Sequence, residues 1–292
     1  MTLLQAILLG IVQGLTEFIP ISSTAHLVLA SRVMNLSLTP EQLTSSIAVI
    51  QLGTLVAVIA YFAGDIWNIT RAFIHDHFRL LKNGRRDQFH RANASARLSH
   101  EAWLGWLVII GSLPVAIIGL AFKKQIEGTF TKNLWVIAVM MIVVAIFLAI
   151  AEFVGKKQRR MQDLGLKDAL AVGVAQCLAL IPGSSRSGST IMAGLFAGET
   201  RETAARFSFL LSMPAIAASG LLELKEALHR PPQGSLATLA AGTLISAVVG
   251  YASIWFLLRF LRTHTTGVFI GYRLIVGAAI LLMLINGRIS PL

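Results

Sequence analysis

The chain has very little charge and almost no cysteine. Of its 292 residues, 13% are charged and 55% are hydrophobic, and the mean hydropathy is +0.72. So little polar surface excludes a soluble globular fold, and several windows approach the roughly 20 apolar residues that cross a bilayer. The single cysteine, Cys177, excludes an internal disulfide and a cysteine-based zinc site. Because Cys177 lies in an apolar run, we expect it to pack inertly rather than to act as a nucleophile. The composition therefore predicts a polytopic membrane protein.

Long apolar segments define the expected topology. Two of them, residues 2–33 and 168–197, are interrupted by polar turns at Pro20–Thr24 and Pro182–Ser185. Each half is too short to cross at 1.5 Å per residue, so each stretch is predicted to form a re-entrant helical hairpin. The predicted fold is an all-α integral membrane protein, a single domain over residues 1–292. Six transmembrane helices are predicted near 41–63, 103–122, 133–153, 204–224, 236–260 and 267–286.

Positive charge is distributed unevenly between the two sides that this topology creates. Sixteen Lys and Arg residues fall on the side of the predicted basic loop 65–102, and seven fall on the other side. Since basic loops are retained in the cytoplasm, the loop is expected there and both termini outside. Four histidines lie in the same loop. Solvated charge near lipid head groups explains them better than a metal or nucleic-acid site.

The two hairpins share a sequence pattern, which indicates an internal duplication. The segment IPISS, beginning at Ile19, aligns with IPGSS, beginning at Ile181, at an offset of 162 residues. Each repeat, 1–150 and 151–292, would hold one hairpin and three spans, and an odd number of spans inverts the second copy. The two polar turns are then expected to meet near the membrane midplane. This inverted-topology architecture suits a transporter as well as an enzyme.

The predicted turns contain ionisable residues at a depth where they are costly. Glu17 and His26 are the one acidic residue and the one histidine deep in apolar segments, and Arg186 lies in the segment IPGSSRSGST. A charge at the membrane centre costs at least about 2.5 kcal/mol. These residues therefore indicate a functional site, although a buried polar network that merely joins the repeats would use the same residue types.

The turn around Arg186 has the composition of a phosphate site. A Gly-rich turn that opens a helix exposes backbone N–H groups, and a guanidinium binds two phosphate oxygens. The attacking group is left open between Ser23, His26 and a water activated by a base. Glu17 could hold a divalent cation or orient His26. The predicted phosphate-binding residues are Ser22, Gly183, Ser185, Arg186, Ser187, Gly188 and Thr190.

Four further residues are expected to support this site. Gln13 shares a helical face with Glu17, Gln51 could add an amide, and Thr24 follows the first turn. Arg273 is either an interfacial anchor or a second contact to the anion.

At these residues the chain resembles the bacterial undecaprenyl-diphosphate phosphatases of the bacitracin-resistance type. The matching stretches are QGLTEFIPISSTAH (13–26), IQLGTLVAV (50–58), QCLALIPGSSRSGST (176–190), FSFLLSMP (207–214) and YR (272–273). The resemblance implies a hydrolase that converts undecaprenyl diphosphate to the monophosphate and inorganic phosphate, recycling the lipid carrier for peptidoglycan synthesis. It also implies bacitracin resistance, a divalent cation (Mg or Ca), the inner membrane, and a site that opens to the periplasm.

The family motifs carry over onto particular residues of this chain. They place the catalytic group on Glu17, Ser23, His26 and Arg186, and metal binding on Glu17. Many members have Glu where this chain has Gln13, so Glu17 is expected to carry any carboxylate role alone. The expected partners are the lipid substrate and the membrane, without nucleic acid, and a homodimer is left open. The competing interpretation is a secondary transporter or lipid flippase with a midplane anion site.

Overall fold

The computed structural model describes residues 1–36, 40–83, 98–122, 133–229 and 236–291. Their regular structure is helical, apart from one isolated bridge between Arg159 and Glu199. The prediction of an all-α chain is confirmed. The helices are α1 (Leu3–Phe18), α2 (Ser23–Val33), α3 (Pro40–Tyr61), α4 (Ala63–Asn83), α5 (His100–Ala121), α6 (Leu134–Val154), α7 (Leu166–Gln176), α8 (Arg186–Phe196), α9 (Arg201–His229), α10 (Leu236–Leu261) and α11 (Gly267–Ile285), with short 3-10 turns at Met161–Asp163 and Cys177–Leu180.

Several of these helices have the length and composition of membrane spans. Within the described residues, α5, α6, α10 and α11 are long and apolar enough to cross a bilayer. Helix α3 meets the same criterion together with α4, and the two helices are bent by 67°. The chain is therefore a multi-pass membrane protein, and its described part contains four such spans, or five if the bent pair counts as one.

Residues 65–102 do not form a single loop, and that prediction is wrong in its first half. Helix α4 continues to Asn83, α5 begins at His100, and residues 84–97 lie outside the described part of the chain. The helix forms because its inward face packs on α5, where the Trp106 indole donates a hydrogen bond to His77 at 3.1 Å. Amphipathic periodicity therefore outweighs the high charge of this segment.

Both interrupted stretches break where the sequence predicts. Ser22 and Ser185 sit at the breaks in the same left-handed conformation, with φ of 78° and 67°. Each hydroxyl caps the helix that follows by accepting a hydrogen bond from the backbone N–H three residues on, at Ala25 and Gly188. Serine is favoured at this position because its side chain satisfies an otherwise unpaired donor. The two halves of the chain thus repeat one local geometry.

The hairpins pack on helices from the opposite half of the chain. Helix α1 lies against α10, and α7 lies against α5. A Cβ on Gly10 would lie 2.4 Å from the Gly242 oxygen, and one on Gly173 would lie 2.2 Å from the Gly111 oxygen. Glycine is needed at both crossings because the backbones nearly touch. This close packing brings the two polar turns together inside a core of buried apolar side chains.

Candidate active site

The two turns meet through a charged pair. Arg186 Nη2 donates to Glu17 Oε1 at 3.0 Å, and Gln13 Nε2 donates to Glu17 Oε2 at 3.1 Å. The side chains of Arg186 and Glu17 are 15% and 8% exposed. The two side chains are shielded from bulk water, and an unpaired charge in such a buried place would be energetically costly. Each charge therefore compensates the other. The expected approach of Arg186 to Glu17 is present in the structure.

A cavity of about 360 Å³ opens beside this pair. The polar residues of both turns form one part of its wall, here called the polar end, and apolar side chains of α2 and α3 form another part. Glu17 and Arg186 are the charged groups in this wall. The lining residues are Gln13, Glu17, Ser22, Ser23, Thr24, Leu27, Val28, Leu43, Ile47, Ala48, Gln51, Ala179, Ile181, Gly183, Ser185, Arg186 and Gly220.

Two helices point their N-terminal ends at the cavity. Helix α2 begins at Ser23 and α8 begins at Arg186, and both residues line the wall. The first N–H groups of a helix lack intrahelical partners and carry partial positive charge. Together with the Arg186 guanidinium they make the polar end of the cavity a site suited to an anion.

Arg273 lies outside the cavity and holds the turns in place. Its side chain is fully buried, and its guanidinium donates to backbone oxygens of both turns, at Pro20, Gly183 and Ser184. Two more bonds reach carbonyl oxygens of α6, at Met140 and Met141. This full burial contradicts an interfacial anchor, and the expected contact with an anion stays a prediction, because Arg273 is not among the residues of the cavity wall. Its recorded hydrogen bonds all go to these backbone carbonyl oxygens, which is the role of a residue that supports the turns.

His26 also faces away from the cavity, contrary to its predicted position opposite Arg186. Its Nδ1 lies 2.7 Å from the carbonyl oxygen of Ser22, and its Nε2 lies 2.6 Å from the Tyr272 hydroxyl. The carbonyl can only accept, so Nδ1 donates to it, and Nε2 pairs with the Tyr272 hydroxyl, which can either donate or accept. The imidazole thereby ties the start of α2 to α11.

Thr190 and its neighbours pack inside the helix bundle rather than in the cavity wall. The Thr190 hydroxyl lies 2.5 Å from that of Ser208 on α9 and also donates to the carbonyl of Arg186. Thr190 is fully buried against α9 and is absent from the cavity wall, so its predicted contact with phosphate stays a prediction without support from this geometry. Ser187 is buried and donates to the Ile19 carbonyl, linking the two turns. Gly188 contributes its N–H to Ser185.

Comparison with known proteins identifies the family of this chain. The model of the family described as Bacitracin resistance protein BacA matches residues 6–279, which include both turns and Arg273. The chain belongs to this family. The match confirms the resemblance that the motifs indicate.

Curated relatives cover almost the whole chain. A protein of Syntrophobacter fumaroxidans named undecaprenyl-diphosphatase is 52% identical over 97% of this chain and 98% of its own length. An undecaprenyl-diphosphatase of Mycolicibacterium gilvum is 45% identical over 100% of both chains. A third, from Nocardia farcinica, is 43% identical over 99% of this chain and 98% of its own length.

The structure adds residues that the sequence interpretation did not assign to the site. Tyr272 bonds and stacks with His26, with ring centroids 5.5 Å apart, and Ser208 supports Thr190. Leu43 and Ile47 form part of the apolar wall. The sequence signal for these contacts was the adjacent pair Tyr272 and Arg273. Two adjacent polar residues inside an apolar span are expected to have polar partners in the protein.

Proposed function

We propose that this chain is a membrane hydrolase that converts undecaprenyl diphosphate to undecaprenyl phosphate and inorganic phosphate. The observation that carries the proposal is the Arg186–Glu17 pair in a cavity that two helix N-termini enter. The polar end suits a diphosphate, and the apolar wall suits the first units of a prenyl chain. The product returns as the lipid carrier for peptidoglycan synthesis, and its supply confers resistance to bacitracin.

Arg186 binds the oxygens of the diphosphate, and the N–H groups at the starts of α2 and α8 add further donors. These groups favour the transition state because charge grows on the phosphoryl oxygens as the bond breaks. Ser22, Gly183 and Ser185 lie in the same wall and complete the cradle. Thr24 and Gln51 also line the cavity.

Ser23 is the nucleophile in this proposal, because its hydroxyl lies in the cavity wall at the start of α2. Its oxygen bonds to the terminal phosphorus, the bridging P–O bond breaks, and undecaprenyl phosphate leaves. Water then cleaves the phosphoserine and releases inorganic phosphate. The hydroxyl proton passes to Glu17, the carboxylate of the cavity wall. His26 positions α2 through its contact with Tyr272, and it does not accept the proton of the Ser23 hydroxyl.

The oxygen donors at the polar end fit a divalent cation such as Mg²⁺ or Ca²⁺. Glu17 supplies one carboxylate, and the buried amide oxygen of Gln13 has no hydrogen-bond partner among the described residues. No group of three or more His, Cys, Asp or Glu is arranged for a metal in the described part of the chain. A cation held by one carboxylate together with substrate oxygens suits this set. When bound, it neutralises charge on the diphosphate.

The proposed topology is six spans with two re-entrant hairpins, in inverted repeats 1–150 and 151–292 of one domain. The matching conformations of Ser22 and Ser185 support it, as does the packing of each hairpin on the opposite half. The excess of basic residues on the side of α4 supports a cytoplasmic position for that side of a bacterial inner membrane. The family resemblance, rather than this charge distribution, supports a cavity that opens to the periplasm.

The test is phosphate release by the purified full-length chain in detergent, with a prenyl diphosphate and Mg²⁺ or Ca²⁺. Hydrolysis that depends on the protein is expected. A secondary transporter or flippase would release no phosphate, because detergent removes both the gradient and the second compartment. Absence of release under every cation would refute the hydrolase proposal. Phosphoserine at Ser23, trapped by acid quench, would separate serine attack from direct attack by water.

A further inference from the structure

Helix α4 is fixed to the protein along one face. Ile66 and Ile69 pack on the main apolar core, and Asp76 accepts a hydrogen bond from the Ser99 N–H at 2.7 Å. Gly105 of α5 leaves room for the Phe73 ring, whose Cδ2 atom lies 3.1 Å from the position that a Cβ on Gly105 would occupy. One side of α4 is therefore an ordinary helix–helix contact, and exposed residues lie on its other sides.

The first outward sector is apolar. At 100° per residue, positions 67, 74, 78 and 81 fall in one stripe along the helix. The stripe consists of Trp67, Ile74, Phe78 and Leu81, which are 67%, 51%, 68% and 72% exposed. Large side chains with this exposure need lipid around them rather than water.

The second outward sector is basic and adjoins the apolar stripe. Arg71, His75, Arg79 and Lys82 are all exposed. Arg79 also approaches Asp76 at 3.9 Å, so part of its charge is compensated on the protein side. Three permanent cations thus lie on the flank of one amphipathic helix, beside side chains that suit an acyl environment.

The direction of α4 suits a position along the membrane surface. It turns by 67° from α3, so the two helices cannot both run along the membrane normal. A helix that runs along the interface buries its apolar stripe in the acyl boundary and places basic residues at the level of the head groups. Tryptophan is favoured at that depth, which fits Trp67 at the start of the stripe.

We infer that the basic flank of α4, formed by Arg71, Arg79 and Lys82, is a binding surface for anionic phospholipid head groups. Charge complementarity favours an anionic lipid as the ligand. A phosphatidylglycerol head group carries a net negative charge that the three cations attract, whereas a zwitterionic head group carries no net charge. Attraction to an anionic surface amounts to about a fivefold change in affinity for each basic residue near it. The site lies on α4 and is separate from the cavity.

The test compares lipid retention by the full-length protein. Native mass spectrometry would count dioleoylphosphatidylglycerol and dioleoylphosphatidylcholine bound to the parent and to Arg71→Gln/Arg79→Gln/Lys82→Gln. The triple variant is expected to bind phosphatidylglycerol at least about 25-fold more weakly, because Arg71 and Lys82 each contribute about fivefold and Arg79 contributes only in part, with phosphatidylcholine retention unchanged. The matched control is Lys156→Gln/Arg160→Gln/Lys167→Gln, which removes the same charge from exposed positions outside α4. It should stay within about twofold of the parent.

Unchanged retention in the α4 variant, or an equal loss in the control, would overturn the inference. Arg71→Lys/Arg79→Lys keeps the charge and is expected to keep the lipid. The same samples are also assayed for phosphate release from the prenyl diphosphate, without added phospholipid. This activity shows that the variants are folded. If the parent releases no phosphate but still retains phosphatidylglycerol through α4, the proposed hydrolysis fails and the lipid surface stands.

A second measurement locates the stripe in the membrane. Spin labels placed by Ile74→Cys and by His75→Cys, each in a Cys177→Ala background, should differ in accessibility after reconstitution into phosphatidylglycerol-containing vesicles. Position 74 is expected to be open to oxygen, and position 75 to a water-soluble nickel chelate. Equal access to the chelate at both positions would contradict an interfacial helix.

Discussion

Arg186 and Glu17 lie 169 positions apart in sequence, yet their side chains meet at 3.0 Å. Neither residue could remain charged and buried without the other, because desolvating a lone ion costs several kcal/mol. The pair therefore fixes the contact between the two turns and also supplies the charged groups of the cavity wall.

Removing either member of this pair should stop the reaction. Arg186→Ala and Glu17→Ala are each expected to lower phosphate release by about 10²-fold or more, since each removes a charge directed at the reacting group. The double variant should lose less than the sum of the two free-energy changes, because the residues are coupled. Cys177→Ala serves as the control and should keep its activity. Full activity in Arg186→Ala would refute the assignment of the anion site.

Arg273→Met should unfold the turns rather than weaken one substrate contact. Five backbone oxygens accept from this guanidinium, and methionine can satisfy none of them. The expected loss of stability is at least about 3 kcal/mol. Arg273→Lys should rescue only part of it, because an ammonium has three donors. Thermal unfolding in detergent measures this, and an unchanged midpoint in both variants would contradict the structural role.

Gly183→Ala should also fail to fold well. Gly183 has φ of +90°, and an ideal Cβ would lie 2.3 Å from the backbone oxygen of Ile137. Both the conformation and the clash oppose alanine, and we expect a cost of more than about 2 kcal/mol. Gly271→Ala is the matched control, since its Cβ would meet nothing within 4 Å. That helical site should tolerate alanine or gain up to about 1 kcal/mol. Equal midpoints for the two variants would rule out this explanation.

Variants of Thr190 and Ser185 should show different effects, because Thr190 contributes to stability and Ser185 contributes to both stability and catalysis. Thr190→Val breaks the bond to Ser208 and should cost about 1 kcal/mol of stability while leaving KM near its parent value. Ser185→Ala removes a helix cap and a cavity hydroxyl together, so phosphate release should fall as well. Steady-state kinetics on the folded fraction distinguishes the two. A raised KM in Thr190→Val would return that residue to the phosphate site.

Stability should fall as the pH rises because of Glu199. This side chain is fully buried in the turn before α9, and its carboxyl oxygens have no hydrogen-bond partner among the described residues. Burial raises the pKa of Glu199 to about 8, with Asp168 adding to the shift and Arg159 opposing it. The folded state therefore holds a proton that the unfolded state releases near its ordinary pKa of 4.5. The stabilisation is complete below that value and is lost as the pH rises through 8.

The check is the unfolding midpoint measured between pH 6 and pH 9. The parent should lose stability across this interval by an amount on the order of a few kcal/mol. Glu199→Gln imitates the protonated carboxyl and should flatten the dependence. An identical slope in the variant would show that another group titrates.

Local features of the site could be predicted because they depend on neighbours in sequence. Pro20 and Pro182 stop the preceding helices, and Ser22 and Ser185 cap the following ones, so the break positions follow from short-range chemistry. Glu17 and Arg186 stood out because charge is rare inside apolar segments. Segment 65–102 was misjudged because its high charge concealed the helical period of α4.

The direction of each side chain could not be predicted in the same way. His26 turns to Tyr272, and Thr190 turns to Ser208, because helices from distant parts of the chain pack against those faces. Arg273 binds carbonyl oxygens that become available only when both turns lie against α6.

The sequence by itself determined that this is a membrane protein, where two of its apolar segments break, and which types of polar residue lie at the two turns. Burying charge is so costly that a few residues in an apolar chain identify the site. The tertiary structure alone decided which of those residues face the cavity. That choice depends on the rotation of each helix against its neighbours, and helix rotation is set by close packing across the two halves, as at Gly10 against Gly242.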